Sequence, residues 1–527
     1  MNLADAATRR ALETFITQAA AATSASITAH RRLSGGAIQE NHALDVVLTG
    51  GPLAGPRRWV MRCDAPSAVA VSLTRAQEFA VLKAAHAAGV KVPAPLWCSR
   101  LGGDEFFIME YVDGVAAGHR LARDERLVSD RRRLAEQLGE NLARIHAMGA
   151  PVAGLDFLEL PSHSPAEEFV AVFRAHLDAL TDPHPALEWG LRWCELNRPQ
   201  QETVTFVHHD HRTGNYIVRN GELAAVLDWE FAGYGDPLQD IGWFFARCWR
   251  FGRPENVAGG IGAADDFLRG YERASGKAVD RAAIRYWEVA AHIRWAVIAL
   301  QQAQRHFSGE EPSLELALTR YVVPELEYEI VEQISDGASP NPPQPPFFKG
   351  GSEQELGAGE ECKEHPARCA AEPADSGATQ ESAHFPPFAK GGRGGDLRLQ
   401  NSRGSPLTSL LAIARKTFRE SLLPVLPETQ RYDGLMVARA IDVVARKLAR
   451  GDADERRELA RLSALFGADR ESADRLDRYN RRLADAIRAG GFDEVGDRRN
   501  RIVEHLKLTV RDRLAISNPR YLEQDRK

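Results

Sequence analysis

Long apolar stretches are missing from this chain of 527 residues, and no run approaches the roughly 18 apolar residues that a membrane-spanning helix needs. Cysteine is scarce too: the six cysteines show no dense framework, which argues against a disulfide scaffold and favours a reducing, cytoplasmic setting. Positive charge is not in excess, since the net charge is −6, so nothing indicates nucleic-acid binding. The first residues lack a basic segment leading into an apolar core, so no secretory signal is expected.

The length and the composition predict more than one domain. Hydrophobic residues make up 44% and charged residues 27% of the chain, which is usual for globular proteins. Between residues 335 and 405, Pro, Gly, Ser and Glu dominate, and the sequence of residues 345–351 recurs with one change at 386–392. We interpret 335–405 as a disordered linker. Residues 406–527 then show five apolar stripes at helical spacing, which predicts a helical bundle large enough for its own core.

The densest chemical signal lies between residues 206 and 230. His208, Asp210 and Asn215 follow the pattern H-x-D-x-x-x-x-N, and Asp228 begins a D-W-E triplet. Asp210 can accept a proton from a substrate hydroxyl, while Asn215 and Asp228 can hold Mg²⁺ against the phosphates of a nucleotide. Together these groups are suited to moving a phosphoryl group from ATP to an alcohol.

A predicted hairpin brings the two halves of this signal together. Asn220 and Gly221 are a strong two-residue turn signal between strand-like segments at 216–218 and 223–227. With such a turn Arg219 pairs with Glu222, so Asn215 falls opposite Val226. Asp228 is then the diagonal neighbour of Asn215 on the same face, about 7–8 Å away between backbones.

Two metal-binding alternatives compete with this interpretation. His208, His209, Asp210 and His211 could suggest a zinc hydrolase, but neighbouring residues of a strand point to opposite faces and rarely share one ion. We therefore expect His208 to pack under the loop and His209 and His211 to be partly exposed. A second cysteine and histidine pattern, Cys362-x-x-His365-x-x-x-Cys369, offers only three ligands within the linker, and chance explains it better.

These residues resemble the catalytic core of the aminoglycoside phosphotransferase and choline kinase-like family. The family usually has H-G-D in the first part of the pattern, and His209 stands here where glycine is usual. Residues 235–240 are also similar to the family, whose second acidic residue, Asp240 here, often braces the catalytic loop. The resemblance covers about residues 25–335. It is closest to the branch fused to some acyl-CoA dehydrogenases, because the sequences of residues 185–193 and 225–230 are similar to that branch. The bundle resembles an uncharacterised helical domain associated with such kinases.

The resemblance implies an α+β fold of the bilobal protein-kinase type. A small antiparallel-sheet lobe with an N-terminal helix would occupy residues 1–112, and a mainly helical large lobe would occupy 113–334. We expect a helix at about residues 5–30, strands at 45–48 and 58–62, and a second helix at 73–89. In the family a glycine-containing turn covers the ATP phosphates, and the backbone amides of Ser34, Gly35 and Gly36 are placed to do so here.

Three further nucleotide contacts are implied by the resemblance. Kinase-like enzymes usually have Lys where this chain has Arg62, and its expected partner is Glu78 on the following helix. A guanidinium is always charged and forks onto phosphate or carboxylate, so Arg62 can serve in that position. Backbone groups of Glu110 and Val112 lie where the edge of the adenine would bind.

The sequence therefore predicts an ATP- and Mg²⁺-dependent O-phosphotransferase acting on a small hydroxylated molecule. The resemblance to the dehydrogenase-associated branch suggests a hydroxyacyl-CoA acceptor, while the family name leaves an aminoglycoside open. A nucleotide-binding regulator with weak catalysis is the rival from another class. The bundle is expected to dock a protein partner or to mediate self-association.

Overall fold

The computed structural model describes residues 1–33, 39–64, 72–335, 406–427, 430–467 and 475–524. Three predicted phosphate-loop residues, Ser34, Gly35 and Gly36, lie outside these ranges. The predicted linker also lies outside them, except for its first residue, Ser335, and with it the Cys362, His365 and Cys369 pattern. Within the described ranges, no helix is long and apolar enough to cross a membrane.

The N-terminal lobe is a five-stranded antiparallel sheet with one helix on each face. Its strands lie in the order β1-β2-β3-β5-β4. The elements are α1 (Ala6–Ala19), β1 (Ser24–Leu33), β2 (Gln39–Thr49), β3 (Gly55–Asp64), α2 (Arg75–Ala87), β4 (Pro95–Leu101) and β5 (Asp104–Glu110). The prediction of one helix over residues 5–30 is therefore wrong from residue 20 onward, and residues 24–33 form a strand instead. The alanines there favour a helix locally, but pairing with β2 at nine of the ten residues of β1 overrides that preference.

The alternation of side chains along β3 sets the position of Arg62. Met61 and Cys63 pack with α1 in one apolar cluster, whereas Val60 packs with Leu82 of α2 in another. Because successive side chains of a strand point to opposite faces, Arg62 shares the α2 face with Val60. Thr74 starts α2 with a capping box, and Glu78 follows in the first turn of the helix. Arg62 and Glu78 therefore meet between the sheet and this helix.

The second lobe is mainly helical and contains two short antiparallel ribbons. The strands pair as β6 with β9 and as β7 with β8. Its elements are α3 (Gly118–Arg123), α4 (Arg131–His146), α5 (Pro165–Asp178), α6 (Pro185–Leu196), β6 (Thr205–Val207), β7 (Tyr216–Arg219), β8 (Glu222–Val226), β9 (Gly233–Gly235), α7 (Pro237–Phe245), α8 (Ala264–Ser275), α9 (Arg281–Phe307), α10 (Leu314–Thr319) and α11 (Val323–Ser335). The predicted catalytic residues follow two of these strands: Asp210 and Asn215 lie between β6 and β7, and Asp228 lies just after β8, where it meets Arg62 of the small lobe.

The predicted hairpin is present, but its register differs from the prediction by one residue. Arg219 pairs with Glu222 as expected, and the register then shifts between Ile217 and Val218, so that Tyr216 faces Val226. The prediction that Asn215 lies opposite Val226 is therefore wrong. The Asn215 carbonyl instead accepts a hydrogen bond of 2.8 Å from the Leu227 amide. A β-bulge adds one residue to one strand and leaves the turn unchanged, so the turn sequence does not reveal it.

The C-terminal helices share a core with the large lobe. They are α12 (Pro406–Thr417), α13 (Arg431–Arg450), α14 (Ala453–Phe466), α15 (Arg475–Arg488), α16 (Asp497–Ser517) and α17 (Pro519–Gln524). Leu483 of α15 and Leu506 of α16 belong to the same buried cluster as Leu187 of α6 and Ile293 of α9. The interface also holds an ion pair between Arg192 and Asp493. The bundle therefore does not have the separate core that its length suggested.

Candidate active site

Asp210 lies in the loop between β6 and β7, and three side-chain donors hold its carboxylate. The Trp243 indole N–H donates to Asp210 Oδ1 at 2.9 Å, and Arg212 Nε donates to the same oxygen at 3.1 Å. Asn215 Nδ2 donates to Asp210 Oδ2 at 2.6 Å and to the Asp210 carbonyl at 3.0 Å. A carboxylate offers about four acceptor positions, so one remains for a substrate hydroxyl. Asp210 is thus oriented as a proton acceptor, with only 7% of its surface exposed.

The residue in the usual glycine position adopts the backbone conformation that glycine favours. His209 has φ = 62°, a left-handed value that costs most other residues about 1 kcal/mol or more. Two contacts of the ring hold it there: Nδ1 lies 3.0 Å from the Phe231 carbonyl, to which its N–H can donate, and Nε2 lies 3.1 Å from the side-chain amide of Gln239. The ring is half-buried, as predicted. His209 therefore occupies this position in the left-handed conformation that a glycine would adopt easily.

Asp240 at the start of α7 braces the loop from below. It is fully buried, and it accepts hydrogen bonds from the amides of His208 at 2.7 Å and of His209 at 2.8 Å. His146 Nε2 lies 3.2 Å from the same carboxylate. Burial alone would raise the pKa of Asp240, but the hydrogen bond and charge of His146, with His208 and His209, keep the pKa below its ordinary value. Asp240 therefore stays ionised and fixes the loop.

The neighbouring histidines take structural positions. His208 is fully buried, and its Nε2 lies 3.0 Å from the Leu227 carbonyl, which ties the loop to the end of the hairpin. His211 is also buried, at 1% exposure, so the expectation that it is partly exposed is wrong. It packs between Tyr216 and Phe244, and burial lowers its pKa to about 3. Among the described residues, the trio with ligand atoms within 4.8 Å of one another is instead Glu40, His42 and Cys63.

Asp228 lies just beyond β8 and faces Arg62 of the small lobe. Its φ of 68° turns the chain sharply after the strand. Arg62 Nη2 donates to Asp228 Oδ1 at 2.7 Å, and the Asp228 side chain remains 27% exposed. Burial raises the pKa of Asp228, but the charge and hydrogen bond of Arg62 outweigh it, so the pKa is below its ordinary value. The carboxylate is therefore ionised at neutral pH.

Arg62 belongs to a buried charge cluster at the boundary of the two lobes. Its Nε donates to Glu78 at 3.0 Å, and its Nη2 lies 3.8 Å from Glu230. Arg75 makes ion pairs with Glu78 and with Glu230. Burial disfavours the charge of Arg62, yet Glu78, Asp228 and Glu230 outweigh burial and raise its pKa above the ordinary value. The expected partners Arg62 and Glu78 are thus in direct contact, and Arg75, Asp228 and Glu230 complete the cluster.

The oxygen atoms of Asn215 and Asp228 fit a magnesium ion. The Asn215 amide nitrogen is turned toward Asp210, which leaves Oδ1 without a hydrogen-bond partner among the described residues. Asp228 Oδ2 is likewise uncommitted within those ranges, since the ion pair with Arg62 uses Oδ1. Mg²⁺ prefers hard oxygen ligands and takes one or two from the protein beside those of the phosphates. The donor set therefore suits a nucleotide-bound Mg²⁺.

The segment after β5 connects the two lobes. The Glu110 amide is already used, because it donates to the Ala94 carbonyl at 2.9 Å. The Val112 amide has no hydrogen-bond partner in the described part of the chain. Of the two residues expected at the adenine edge, Val112 therefore has the available donor.

Several residues of the site were not predicted from the sequence. Glu230 ends the D-W-E triplet, and its acidic side chain next to Asp228 was the signal that could have indicated a place in the charge cluster. Arg75, Arg212, Trp243 and Arg294 carry no recognisable local pattern. They reach the site from α2, the catalytic loop, α7 and α9, so their roles follow from tertiary packing.

Comparisons with known proteins agree with this arrangement. Residues 31–276 match the model of the phosphotransferase enzyme family, and residues 424–521 match a domain of unknown function (DUF6285). Acyl-CoA dehydrogenase family member 10 of Mus musculus is 32% identical over 185 residues, which are 33% of this chain and 16% of that protein. Acyl-CoA dehydrogenase family member 11 of Pongo abelii is 30% identical over 178 residues, which are 32% of this chain and 22% of that protein.

The chain thus spans only a small part of these relatives. Among solved structures, a Ralstonia eutropha protein provisionally described as an aminoglycoside phosphotransferase superposes with a TM-score of 0.51. It is 19% identical, and the match covers 63% of this chain and 99% of that protein. The predicted two-lobed fold is confirmed. The predicted resemblance to the phosphotransferase family is confirmed for residues 31–276, the part of the chain that matches the model of that family.

Proposed function

We propose that the chain transfers the γ-phosphoryl group of ATP, bound with Mg²⁺, to the hydroxyl of a small molecule. The observation that carries this proposal is the meeting of Asp210, Asn215, Asp228 and Arg62 between the lobes. Asp210 and Asn215 share a hydrogen bond of 2.6 Å, and Arg62 and Asp228 share one of 2.7 Å. The Mg²⁺ held by Asn215 and Asp228 would neutralise charge on the phosphates.

The reaction assigns one role to each of these side chains. Asp210 accepts the proton of the acceptor hydroxyl as the new O–P bond forms. The bond between the γ-phosphorus and the bridging oxygen breaks, and ADP leaves with the electron pair. Arg62 is placed by Glu78 to steady the phosphates, and the Val112 amide is placed to hold the adenine edge. The loose transition state spreads negative charge over the transferred group, so positioning and charge neutralisation are the main requirements.

The first acceptor class to test is a hydroxyacyl-CoA. Support comes from the relatives named acyl-CoA dehydrogenase family members 10 and 11, which share about a third of this chain. An aminoglycoside is the second class, suggested by the description of the structural neighbour. The proposed test measures ADP release from Mg-ATP with a panel of both classes, for the wild type, Asp210→Asn and Asp156→Asn. Asp156 is exposed on a loop and provides a control with the same chemical change.

We expect transfer to at least one acceptor in the wild type and in Asp156→Asn, and a loss of at least a hundredfold in kcat for Asp210→Asn. Full activity of Asp210→Asn would contradict the proposal. Binding of Mg-ATP without transfer to any acceptor would favour the nucleotide-binding regulator.

The C-terminal helices suggest a contact surface as well as a structural role. Tyr432, Leu435, Val444 and Leu448 of α13 are exposed. Exposed apolar side chains on one helix often mark a protein contact, so docking or self-association of the bundle stays a prediction. Light scattering of the wild type and Leu435→Glu tests self-association.

The reducing, cytoplasmic setting also stays a prediction.

A further inference from the structure

Arg294 is a cation beside the catalytic loop without a fixed anionic partner. It lies on α9, half-buried, with its guanidinium stacked 4.6 Å from the ring centre of Trp243. No residue in the described ranges forms a hydrogen bond or an ion pair with it. Other arginines of this region are paired: Arg247 with Glu329 and Arg250 with Glu288. Arg294 is therefore positioned by an aromatic ring and remains available for a ligand.

Trp243 connects Arg294 to Asp210. The Trp243 ring stacks against the Arg294 guanidinium, and its N–H donates to Asp210 Oδ1 at 2.9 Å. Asn215, the proposed metal ligand, contacts the other carboxylate oxygen, Oδ2, at 2.6 Å. Arg294 also interacts electrostatically with Asp210 and with Asp240. Arg294 therefore lies near Asp210, behind the ring that holds the oxygen not used by Asn215.

The surroundings of Arg294 favour binding of an anion. Burial lowers the pKa of Arg294, and Asp210 and Asp240 only partly offset this effect. Asp240 already accepts hydrogen bonds from two backbone amides, and Asp210 from three side chains. A half-buried guanidinium gains from a carboxylate or phosphate that its planar fork can hold through two N–H groups. Trp243 contacts both partners, since its ring stacks on Arg294 and its N–H donates to Asp210.

We infer that Arg294 binds an anionic group of the acceptor whose hydroxyl faces Asp210. The inference rests on the proposed function and narrows the acceptor to hydroxylated anions. It also disfavours aminoglycosides, because they are polycations and the positive charges of Arg294 and Arg212 near Asp210 would repel them. The anion has two chemical sources: the carboxylate of a free hydroxy acid or the phosphates of a CoA thioester.

Matched acceptors that differ in charge test the inference. The first pair is 3-hydroxybutyrate and 3-hydroxybutyramide. The second pair is 3-hydroxybutyryl-CoA and the same acyl group on N-acetylcysteamine, which lacks the phosphates. ADP release from Mg-ATP gives kcat/KM for each acceptor with the wild type, Arg294→Gln, Arg294→Lys and Arg498→Gln. Arg498 stacks on Phe492 at 4.8 Å on the distant α16 and controls for loss of a stacked arginine.

We expect the charged member of at least one pair to be preferred at least tenfold by the wild type and by Arg498→Gln. The preference should fall to near one in Arg294→Gln and be partly retained in Arg294→Lys. If Arg294 binds a carboxylate, the wild type should prefer the charged member of the first pair. If it binds the CoA phosphates, the preference should appear in the second pair. If no acceptor is phosphorylated, the same ratios are taken from calorimetric titrations of protein loaded with Mg²⁺ and a non-hydrolysable ATP analogue.

Three results would overturn the inference. They are a wild-type ratio near one for both pairs, an undiminished preference in Arg294→Gln, and failure of every charged member both to react and to bind. Equal losses for charged and neutral acceptors in Arg294→Gln would likewise reject a role in charge recognition. Failure of Mg-ATP itself to bind the wild type counts against the proposed function instead.

Discussion

Replacing Arg62 by Met probes the charge cluster between the lobes most sharply. The guanidinium serves two carboxylates at once, Glu78 at 3.0 Å and Asp228 at 2.7 Å, and it is 6% exposed. Removing one member of a buried ion pair costs about 3–5 kcal/mol, because the partner is left without compensation. Here Glu78 keeps Arg75, and Asp228 is 27% exposed to water. We therefore expect a loss near the lower limit, about 3 kcal/mol of unfolding free energy.

Arg58→Met on the same strand is the matched control for this substitution. Arg58 also pairs with an aspartate, Asp45 at 2.7 Å, but its side chain is 56% exposed. Exposed ion pairs contribute little, so Arg58→Met should unfold like the wild type. Arg62→Lys keeps the charge but has no planar fork for two carboxylates, and we expect an intermediate stability.

Urea denaturation of the three variants and the wild type gives the comparison. We also expect Arg62→Met to weaken Mg-ATP binding at least tenfold, measured by calorimetry, because the proposed function gives Arg62 a contact with the phosphates. If Arg62→Met matched Arg58→Met in both stability and nucleotide affinity, the account of the charge cluster would be refuted.

Substitutions at three other positions test the loop and the shared core. His209→Ala and His209→Gly both lose the contacts of the ring, but only His209→Ala keeps a Cβ on the left-handed backbone. In thermal unfolding, His209→Gly should therefore be the more stable of the two by about 1 kcal/mol, and the reverse order would contradict the strain at φ = 62°. The pKa of Asp240 is lower in the folded protein than in the unfolded chain, where it is about 3.9. The ionised carboxylate therefore stabilises the fold above that pH, and this stabilisation is lost as the pH falls below it. In Asp240→Asn the free energy of unfolding should fall less steeply in acid, and a pH profile equal to that of the wild type would count against this role. Leu506→Ala should lower the free energy of unfolding by about 2–5 kcal/mol. In calorimetry, the unfolding transitions of the large lobe and of the bundle should move together to lower temperature, whereas a shift confined to the bundle would argue against a shared core.

The parts of the site that are local in sequence could be predicted well. Asp210 and Asn215 lie in one loop, and the turn at Asn220 and Gly221 fixes the start of the hairpin. Glu78 follows a capping signal at Thr74, which sets the helix that carries it. In each case, residues that are close along the chain determine the local structure, so the spacing in the sequence is enough to place them.

The parts that depend on distant contacts could not be predicted. The bulge in the hairpin adds one residue without any change in the turn sequence. Residues 24–33 form a strand because β2 pairs with them, not because of their own composition. Leu506 lies in one of the five apolar stripes that predict the bundle, and nothing in the stripe distinguishes contact with the large lobe from contact within the bundle. Arg294 likewise reaches Asp210 only through the packing of α9 beside α7.

The central claim is that Asp228 helps to hold a magnesium-bound nucleotide between the lobes. Its direct test is calorimetric titration of ATP into the wild type and Asp228→Ala, each with Mg²⁺ and with EDTA. The variant should remain folded, since Arg62 keeps Glu78 and Glu230 nearby. We predict binding that depends on Mg²⁺ in the wild type and a large loss of that dependence in Asp228→Ala. Equal, Mg²⁺-dependent affinity in both proteins would contradict the account.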